Sequence, residues 1–172
     1  MRFFLTIEYD GSEYIGWQRQ NSGLSVQEVV ENSIYKIIQI NLNIYGSGRT
    51  DAGVHATGQV AHVDILTKEF EENRLMDAIN AYLLDHKIKV TDVRKTIDDA
   101  HARFSALSRE YEYVILNRSA PPAIEEGKVW HQRRILNIKK MQEAASYFLG
   151  THDFTSFRAT QCQSKSPIKT LD

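Results

Sequence analysis

Residues 46–55, GSGRTDAGVH, form a short polar segment whose three glycines bound a single carboxylate. Glycine adopts backbone conformations that other residues avoid, so the chain can turn sharply here. Asp51 lies in the middle of the segment, and Arg49 precedes it by two positions. The pattern predicts an active-site loop that presents Asp51 to a ligand.

The residues that follow this loop predict the strand that anchors it. Residues 57–65, TGQVAHVDI, alternate between polar and apolar side chains, as a half-buried strand does. A loop anchored on a strand holds its side chains in a fixed geometry. From the loop alone, the alternative is a simple hairpin turn in which Asp51 accepts backbone hydrogen bonds.

The glycine spacing excludes two nucleotide-binding loops. A dinucleotide fingerprint requires a glycine three residues after its second one, but the residue three after Gly48 is Asp51, whose charge would repel a pyrophosphate. A P-loop requires Lys and then Ser or Thr after its last glycine, and Val-His follows Gly53. We therefore expect no nucleotide cofactor.

The first part of the chain predicts alternating strands and helices around this loop. Residues 2–9 predict a strand, 25–40 an amphipathic helix, 71–84 a second helix and 88–95 a further strand. Strands are also expected on both sides of the Asp51 loop. The resulting order, β-α-β-β-α-β, is that of a ferredoxin-like unit.

A second unit of the same kind begins further on but does not finish. Its predicted elements are a strand over 109–117, a helix over 137–149 and a strand that starts near Ile168. The predicted fold class is α+β, with two ferredoxin-like halves, antiparallel sheets and helices on one face, the second half being incomplete. We expect the first half over 1–100 and the second over 101–172.

The composition is that of an ordinary globular protein. The chain has 172 residues, of which 42% are hydrophobic, enough for one large domain or two small ones. No apolar run approaches the roughly 20 residues that span a bilayer, and the N-terminus lacks signal-peptide features. Cys162 is the only cysteine, which excludes an internal disulfide and a thiolate metal cluster. We expect a cytoplasmic protein with no membrane association.

Charge is distributed unevenly along the chain. The formal net charge of −1 does not suggest nucleic-acid binding. Residues 1–127, however, contain 13 Lys and Arg against 19 Asp and Glu, whereas residues 128–172 contain 8 against 3. Such a local basic region is able to contact phosphates. The alternative is a solvated basic face. The six histidines show no zinc-ligand spacing, so no metal site is predicted.

Several further sequence blocks occur on either side of the loop. They are 7–12 IEYDGS, 16–20 GWQRQ, 25–27 SVQ, 101–106 HARFSA, 109–113 REYEY and 150–157 GTHDFTSF. Together with the loop, and in this order, they resemble the tRNA pseudouridine synthase family along nearly the whole chain.

The resemblance implies a function and partners. Members of this family isomerise uridine to pseudouridine in the anticodon stem-loop of tRNA, at positions 38, 39 and 40, and act as homodimers without a cofactor. Breaking the bond between the sugar and the base requires a carboxylate that acts as a nucleophile or as a base. The resemblance places Asp51 in that role.

The resemblance also assigns the residues that hold the substrate. It implies that Tyr111 stacks on the uracil and that Arg49 helps to hold the flipped-out nucleotide. Arg103 and Arg109 flank the predicted strand and are good partners for a phosphate or for the aspartate. From the residues alone, Tyr111 and Tyr113 would instead be packed on one face of a strand, and Arg49 would be a surface arginine that pairs with Asp51.

The chain ends at Asp172, whereas family members continue and complete the second half. The resemblance therefore implies a C-terminally truncated member, and the alternative function is a catalytically incompetent tRNA-binding fragment of the same fold. A more distant alternative is a hydrolase that uses Asp51 with His55, four residues later.

Overall fold

The computed structural model describes residues 1–158 and 166–172, so Cys162 lies outside the described residues. The chain divides into two compact units, Met1–Tyr113 and Val114–Asp172. Residues 101–113 group with the first unit, whereas the sequence placed the division after residue 100. Among the described helices, none is long and apolar enough to cross a membrane.

The first unit is a four-stranded antiparallel sheet with two helices. Its strands follow the order β2-β3-β1-β4, with β1 and β3 inside the sheet. The β-α-β-β-α-β order predicted for this part of the chain is confirmed. The elements are β1 Arg2–Tyr9, α1 Val26–Ile38, β2 Tyr45–Gly46, β3 Ala56–Asp64, α2 Glu72–Ala81 and β4 Ile88–Thr96, with a 3-10 helix at Gly11–Glu13.

The core of this unit follows from the periodicity of its elements. Alternate residues of β1 are buried, as period-2 alternation requires. Helix α1 begins where Ser25 Oγ accepts a hydrogen bond from the Glu28 N–H at 3.2 Å, which satisfies an otherwise unpaired donor of the first turn. The apolar faces of both layers meet in one cluster that includes Phe3, Leu5, Ile7, Val26, Val30, Ile34, Leu75 and Ile79.

The side chain of Asn80 links helix α2 to the edge strand β4. Asn80 Nδ2 donates to the Val90 carbonyl at 2.7 Å, and the Val90 N–H donates to Asn80 Oδ1 at 2.8 Å. The helix ends at Ala81. Turns follow it, in one of which the Leu83 N–H donates to the Asn80 carbonyl at 3.0 Å. The helix is therefore shorter at its end than the predicted range 71–84.

The second unit contains two small sheets and one helix. Its elements are β5 Ile115–Asn117, β6 Trp130–Gln132, α3 Ile138–Ser146, β7 Gly150–Asp153 and β8 Ile168–Leu171, with a 3-10 helix at Thr155–Phe157. Strands β7 and β8 are antiparallel, whereas β5 and β6 are parallel. The prediction of antiparallel sheets throughout was therefore wrong for the β5–β6 pair.

The predicted strand over 109–117 was wrong for its first six residues. Residues 109–114 have no regular structure, and only Ile115–Asn117 forms a strand. The alternating Tyr111 and Tyr113 are 68% and 86% exposed, so their spacing does not reflect packing on a buried face. Pairing with β6 starts at Ile115, opposite Trp130, and ends at Asn117, whose Nδ2 donates to the Gln132 carbonyl at 2.8 Å.

Candidate active-site loop

The loop between β2 and β3 carries Asp51 and Arg49, both exposed to solvent. The Val54 N–H donates to the Asp51 carbonyl at 3.2 Å and closes a turn. Within that turn Gly53 has φ +78°, a left-handed conformation that glycine adopts without steric cost. The Asp51 side chain thus belongs to an exposed turn with a defined backbone.

The segment after β1 holds this loop on both sides of Asp51. Before Asp51, the Trp17 N–H donates to the Thr50 carbonyl at 3.0 Å. After Asp51, the Gly53 N–H donates to the Tyr14 carbonyl at 3.3 Å. The Tyr9 hydroxyl adds a side-chain hydrogen bond to Thr50 Oγ1 at 2.8 Å. The loop is therefore fixed by residues of β1 and of the segment that follows it.

This close approach requires a glycine at position 16. Gly16 has φ +110°, and a Cβ atom on it would lie 2.5 Å from the Thr50 carbonyl oxygen. The next residue, Trp17, is only 1% exposed and anchors the segment in the core. A buried ring and an adjacent glycine together bring two backbone segments into hydrogen-bonding contact.

A buried polar network supports the same segment from α1. The Glu31 carboxylate accepts hydrogen bonds from Gln27 Nε2 at 2.8 Å and from the Ile44 N–H at 3.0 Å. It also forms an ion pair with Arg19 at 3.0 Å. Gln27 accepts the Arg19 N–H at 3.0 Å, and its own N–H donates to the Trp17 carbonyl at 3.0 Å. The network thus links α1, the Trp17 segment and the chain that leads into β2.

His55, at the end of the loop, contacts the segment after β1. Its Nδ1 atom lies 3.1 Å from the Gly11 nitrogen and 3.1 Å from Asp10 Oδ1. The neutral ring accepts from Gly11, whereas the protonated ring donates to Asp10. Asp10 also accepts hydrogen bonds from the Ser12 hydroxyl and N–H, which lower the pKa of Asp10 to about 2. His55 Nδ1 is thus in contact with Gly11 and Asp10. The hydrolase alternative would need this nitrogen to be available as a base, so the geometry does not favour that alternative.

Arg109 lies at the base of the loop. Its guanidinium donates to the Ser47 carbonyl from Nε at 3.1 Å and from Nη2 at 2.8 Å. Nη2 also donates to the Arg103 carbonyl at 2.9 Å, so the segment that carries both arginines folds back toward β2. The Arg103 guanidinium lies 5.8 Å from the Phe104 ring centroid, within cation–π distance.

Tyr111 lies in the irregular end of the first unit. Among the described residues it makes no side-chain hydrogen bond or ring contact, and its ring is largely exposed. The core position that the residues alone suggested for Tyr111 and Tyr113 is therefore wrong. An exposed aromatic ring is available to stack on a ligand.

The sequence did not reveal a ring cluster around the HARFSA block. His62 on β3 is 2% exposed and stacks on Tyr45 of β2, with ring centroids 5.1 Å apart. His101 approaches the His62 ring edge-on at 4.5 Å and also contacts Phe104 at 4.5 Å. The contact between His62 and His101 joins residues 39 positions apart, and local spacing carries no signal for it.

Within a mixed α/β fold, the exposed Asp51 lies on a loop that hydrogen bonds hold on both sides, and Arg109 lies at the base of that loop. A carboxylate held in this way is typical of an enzyme active site. The sequence matches the family described as tRNA pseudouridine synthase over residues 5–105 and 144–172. It is 51% identical over 173 residues to tRNA pseudouridine synthase A of Ehrlichia canis, covering 100% of this chain and 70% of that protein.

Proteins of the same name from other organisms are equally similar. The Ehrlichia ruminantium protein is 51% identical with 70% of its length covered, and the Brucella ovis protein is 51% identical with 68% covered. The chain therefore belongs to the tRNA pseudouridine synthase family, whose members are isomerases that act on tRNA. The chain is shorter than these relatives.

Proposed function

We propose that this chain isomerises uridine to pseudouridine in the anticodon stem-loop of tRNA, at positions 38, 39 and 40, with Asp51 as the catalytic carboxylate. The observation that carries the proposal is the exposed Asp51 on a loop fixed by hydrogen bonds at Thr50 and Gly53. A carboxylate that is already held in position needs little reorganisation when positive charge develops on the sugar. The family match supports the choice of substrate.

The reaction is an isomerisation and balances without a co-reactant. The bond between the sugar C1′ and N1 of the base breaks, and a bond between C1′ and C5 forms. The hydrogen on C5 leaves as a proton, and N1 gains one. Asp51 acts either as a nucleophile at the sugar or as a base, and its charge stabilises the positive charge that develops at C1′.

The remaining site residues hold the flipped nucleotide. A uridine in a stem must leave its stack, at a cost of a few kcal/mol, and stacking on an aromatic ring returns about 1–3 kcal/mol. We assign that platform to Tyr111, whose exposed ring has space for a base. Arg49 holds the nucleotide, and Arg103 and Arg109 pair with phosphate or with the aspartate. Arg109 already orders the loop through Ser47.

The finer architecture and the partners follow from the family resemblance. We propose a ferredoxin-like fold for both halves, supported in the first by the strand order β2-β3-β1-β4 and the β-α-β-β-α-β sequence. The catalytic loop and the Tyr111 motif both belong to the unit Met1–Tyr113, and the basic surface that contacts phosphates belongs to the unit Val114–Asp172. The active form is a homodimer that acts on tRNA in the cytoplasm.

Tritium release from C5-labelled uridine in unmodified tRNA tests the chemistry. We expect release by the parent chain and by Asp77→Asn, which changes an exposed aspartate on α2. Asp51→Asn should abolish release while keeping affinity for the stem-loop, because it removes the charge and little volume. Equal release by Asp51→Asn would overturn the assignment of Asp51.

Binding separates the enzyme from the alternative of a tRNA-binding fragment. Fluorescence anisotropy with a labelled anticodon stem-loop measures affinity for the parent and for Asp51→Asn. If the parent binds the stem-loop tightly but releases no tritium, the result would support the alternative of a catalytically incompetent tRNA-binding fragment. Replacing Tyr111 by Leu should weaken binding or kcat by about tenfold, since it removes one stacked ring. Replacement by Phe, which keeps the ring, should retain binding.

A further inference from the structure

We propose that His62 is a positioning residue for this reaction: its neutral ring anchors residues 100–109 on the sheet and so holds Arg109 against the base of the Asp51 loop. The activity readout of this inference rests on the proposed function. The anchor itself is a structural feature and is testable without activity.

The anchor is one buried hydrogen bond. The Ala102 N–H donates to His62 Nδ1 at 3.2 Å, and the two residues are 4% and 2% exposed. A buried donor left without a partner is costly, so the bond favours one position of the 100–109 segment. His62 lies on β3, the strand that begins directly after the loop residue His55.

Aromatic contacts hold the His62 ring in place. Tyr45 stacks on it at 5.1 Å with an interplanar angle of 20°, and the two residues are paired across the β2–β3 ladder. His101 packs edge-on at 4.5 Å, and its own ring contacts Phe104. The ring orientation that presents Nδ1 to Ala102 is therefore set by residues of two strands and of the segment itself.

Further hydrogen bonds connect the anchored part of the 100–109 segment to the Asp51 loop. The Arg103 N–H donates to His101 Nδ1 at 3.1 Å, and the Ser105 N–H donates to the His101 carbonyl at 2.8 Å. Arg109 then bridges the Arg103 and Ser47 carbonyls. This chain of bonds connects the buried His62 to the strand end from which the Asp51 loop departs.

The same segment has a second attachment that does not depend on His62. Arg2 Nη1 donates to the Ala100 carbonyl at 2.8 Å, and the same guanidinium forms two hydrogen bonds with Asp64, at 2.8 and 2.7 Å. Loss of the His62 bond should therefore loosen residues 102–109 while Ala100 stays attached. The expected effect is local and does not require unfolding of the sheet.

Nδ1 accepts a hydrogen bond only while it carries no proton. The groups that face the ring are Arg2 on β1, Tyr45 on β2, Asp64 on β3 and His101 on the segment. Burial is the largest cause that lowers the pKa of His62, and the charges of Arg2 and His101 lower it further, against the opposing effects of the Asp64 charge and of a hydrogen bond with the Tyr45 backbone. The anchor is thus intact at neutral pH and is lost as the pH falls through the lowered pKa.

Two substitutions separate the acceptor from the ring. Asn places Oδ1 at the same number of bonds from the backbone as His Nδ1, so His62→Asn keeps an acceptor for Ala102 and removes a titrating group. His62→Phe keeps an aromatic ring and removes the acceptor. His86→Asn, in the turn between α2 and β4, serves as the matched histidine control.

Amide hydrogen exchange at Ala102 and tritium release are measured from pH 4 to 8, a range that extends well below the ordinary histidine pKa of about 6.5. For His62→Phe we expect Ala102 to exchange about tenfold faster and kcat to fall by a similar factor at neutral pH, with a smaller change in KM. For His62→Asn we expect near-parent values at neutral pH and loss of the acidic decline in Ala102 protection. His86→Asn should behave as the parent does.

Parent-like Ala102 protection in His62→Phe, or equal defects in the Phe and Asn variants, would overturn the anchor. Faster Ala102 exchange with unchanged kcat in His62→Phe would overturn its role in the reaction. If the parent releases no tritium, the proposed function fails, but Ala102 exchange and its pH dependence still decide the anchor. If His62→Phe does not fold, the pH dependence of parent and His62→Asn decides it.

Discussion

The backbone N–H of Trp17 donates to the carbonyl of Thr50 at 3.0 Å, so a residue anchored in the core fixes the position directly before Asp51. The ring of Trp17 is buried, and the preceding glycine allows the two backbones to approach. The precision of the candidate site therefore depends on residues that never touch a substrate.

Gly16→Ala should destabilise the protein and displace the Asp51 loop. The added Cβ would lie 2.5 Å from the Thr50 oxygen at φ +110°, a conformation that alanine rarely adopts. We expect a loss of about 3 kcal/mol in the free energy of unfolding, measured by urea denaturation, together with reduced tritium release. Gly58→Ala is the control, because its Cβ meets nothing closer than 3.9 Å. Equal stability of both variants would contradict the close-approach argument.

The hydroxyl groups of Tyr9 and Thr50 should show a measurable coupling. They are 2.8 Å apart, and Tyr9 is largely buried, which raises the pKa of its phenol. Tyr9→Phe and Thr50→Val each remove one partner. The double-mutant cycle should give a coupling free energy of about 0.5–1.5 kcal/mol. Additive effects in the cycle would show that the bond contributes nothing.

The sequence predicted the elements whose signal is local. Alternation identified β1 and β3, and the amphipathic pattern over 25–40 identified α1, because burial of one face leaves a periodic pattern. It also singled out the Asp51 loop, where glycines and a carboxylate occur together. The 109–117 strand failed because alternating tyrosines resemble a buried face even when both rings are exposed.

Contacts between distant segments were not predictable in the same way. The bond between His62 and Ala102 joins residues 40 positions apart, and nothing in either local sequence specifies it. A weak signal existed for the polar network, since Gln27 and Glu31 are four apart on the mainly apolar buried side of α1. Polar residues at core positions of a helix indicate buried partners.

Glu31→Ala should cost more stability than the loss of a surface ion pair. It would leave the Ile44 N–H without an acceptor in a buried site, and Gln27 Nε2 would keep only the Ile44 carbonyl at 3.2 Å. We expect a loss of about 2–4 kcal/mol by chemical denaturation. The control is Glu13→Ala, whose ion pair with Lys87 is more than half exposed on both sides and should therefore contribute little to stability. Similar losses in both variants would show that burial of Glu31 has no effect.

The carboxyl group of Asp10 should titrate far below a free aspartate. Hydrogen bonds from the Ser12 hydroxyl and then from the Ser12 N–H lower the pKa of Asp10 to about 2, with smaller effects of His55 and Lys87. Since the folded-state pKa is depressed, the stabilising effect of ionised Asp10 is complete above its unfolded pKa of about 4 and is lost as the pH falls toward 2.

The side-chain carbon resonance of Asp10, followed by NMR from pH 1.5 to 6, measures this pKa directly. Ser12→Ala removes the hydroxyl donor but keeps the backbone N–H, so the midpoint should rise toward that of a free aspartate without reaching it. Ser22→Ala, in an exposed turn, should leave the midpoint unchanged. A midpoint near 4 in the parent would mean that the Ser12 bonds do not hold the segment that contacts His55, and the support of the Asp51 loop from that side would then rest on Tyr14 and Trp17 alone.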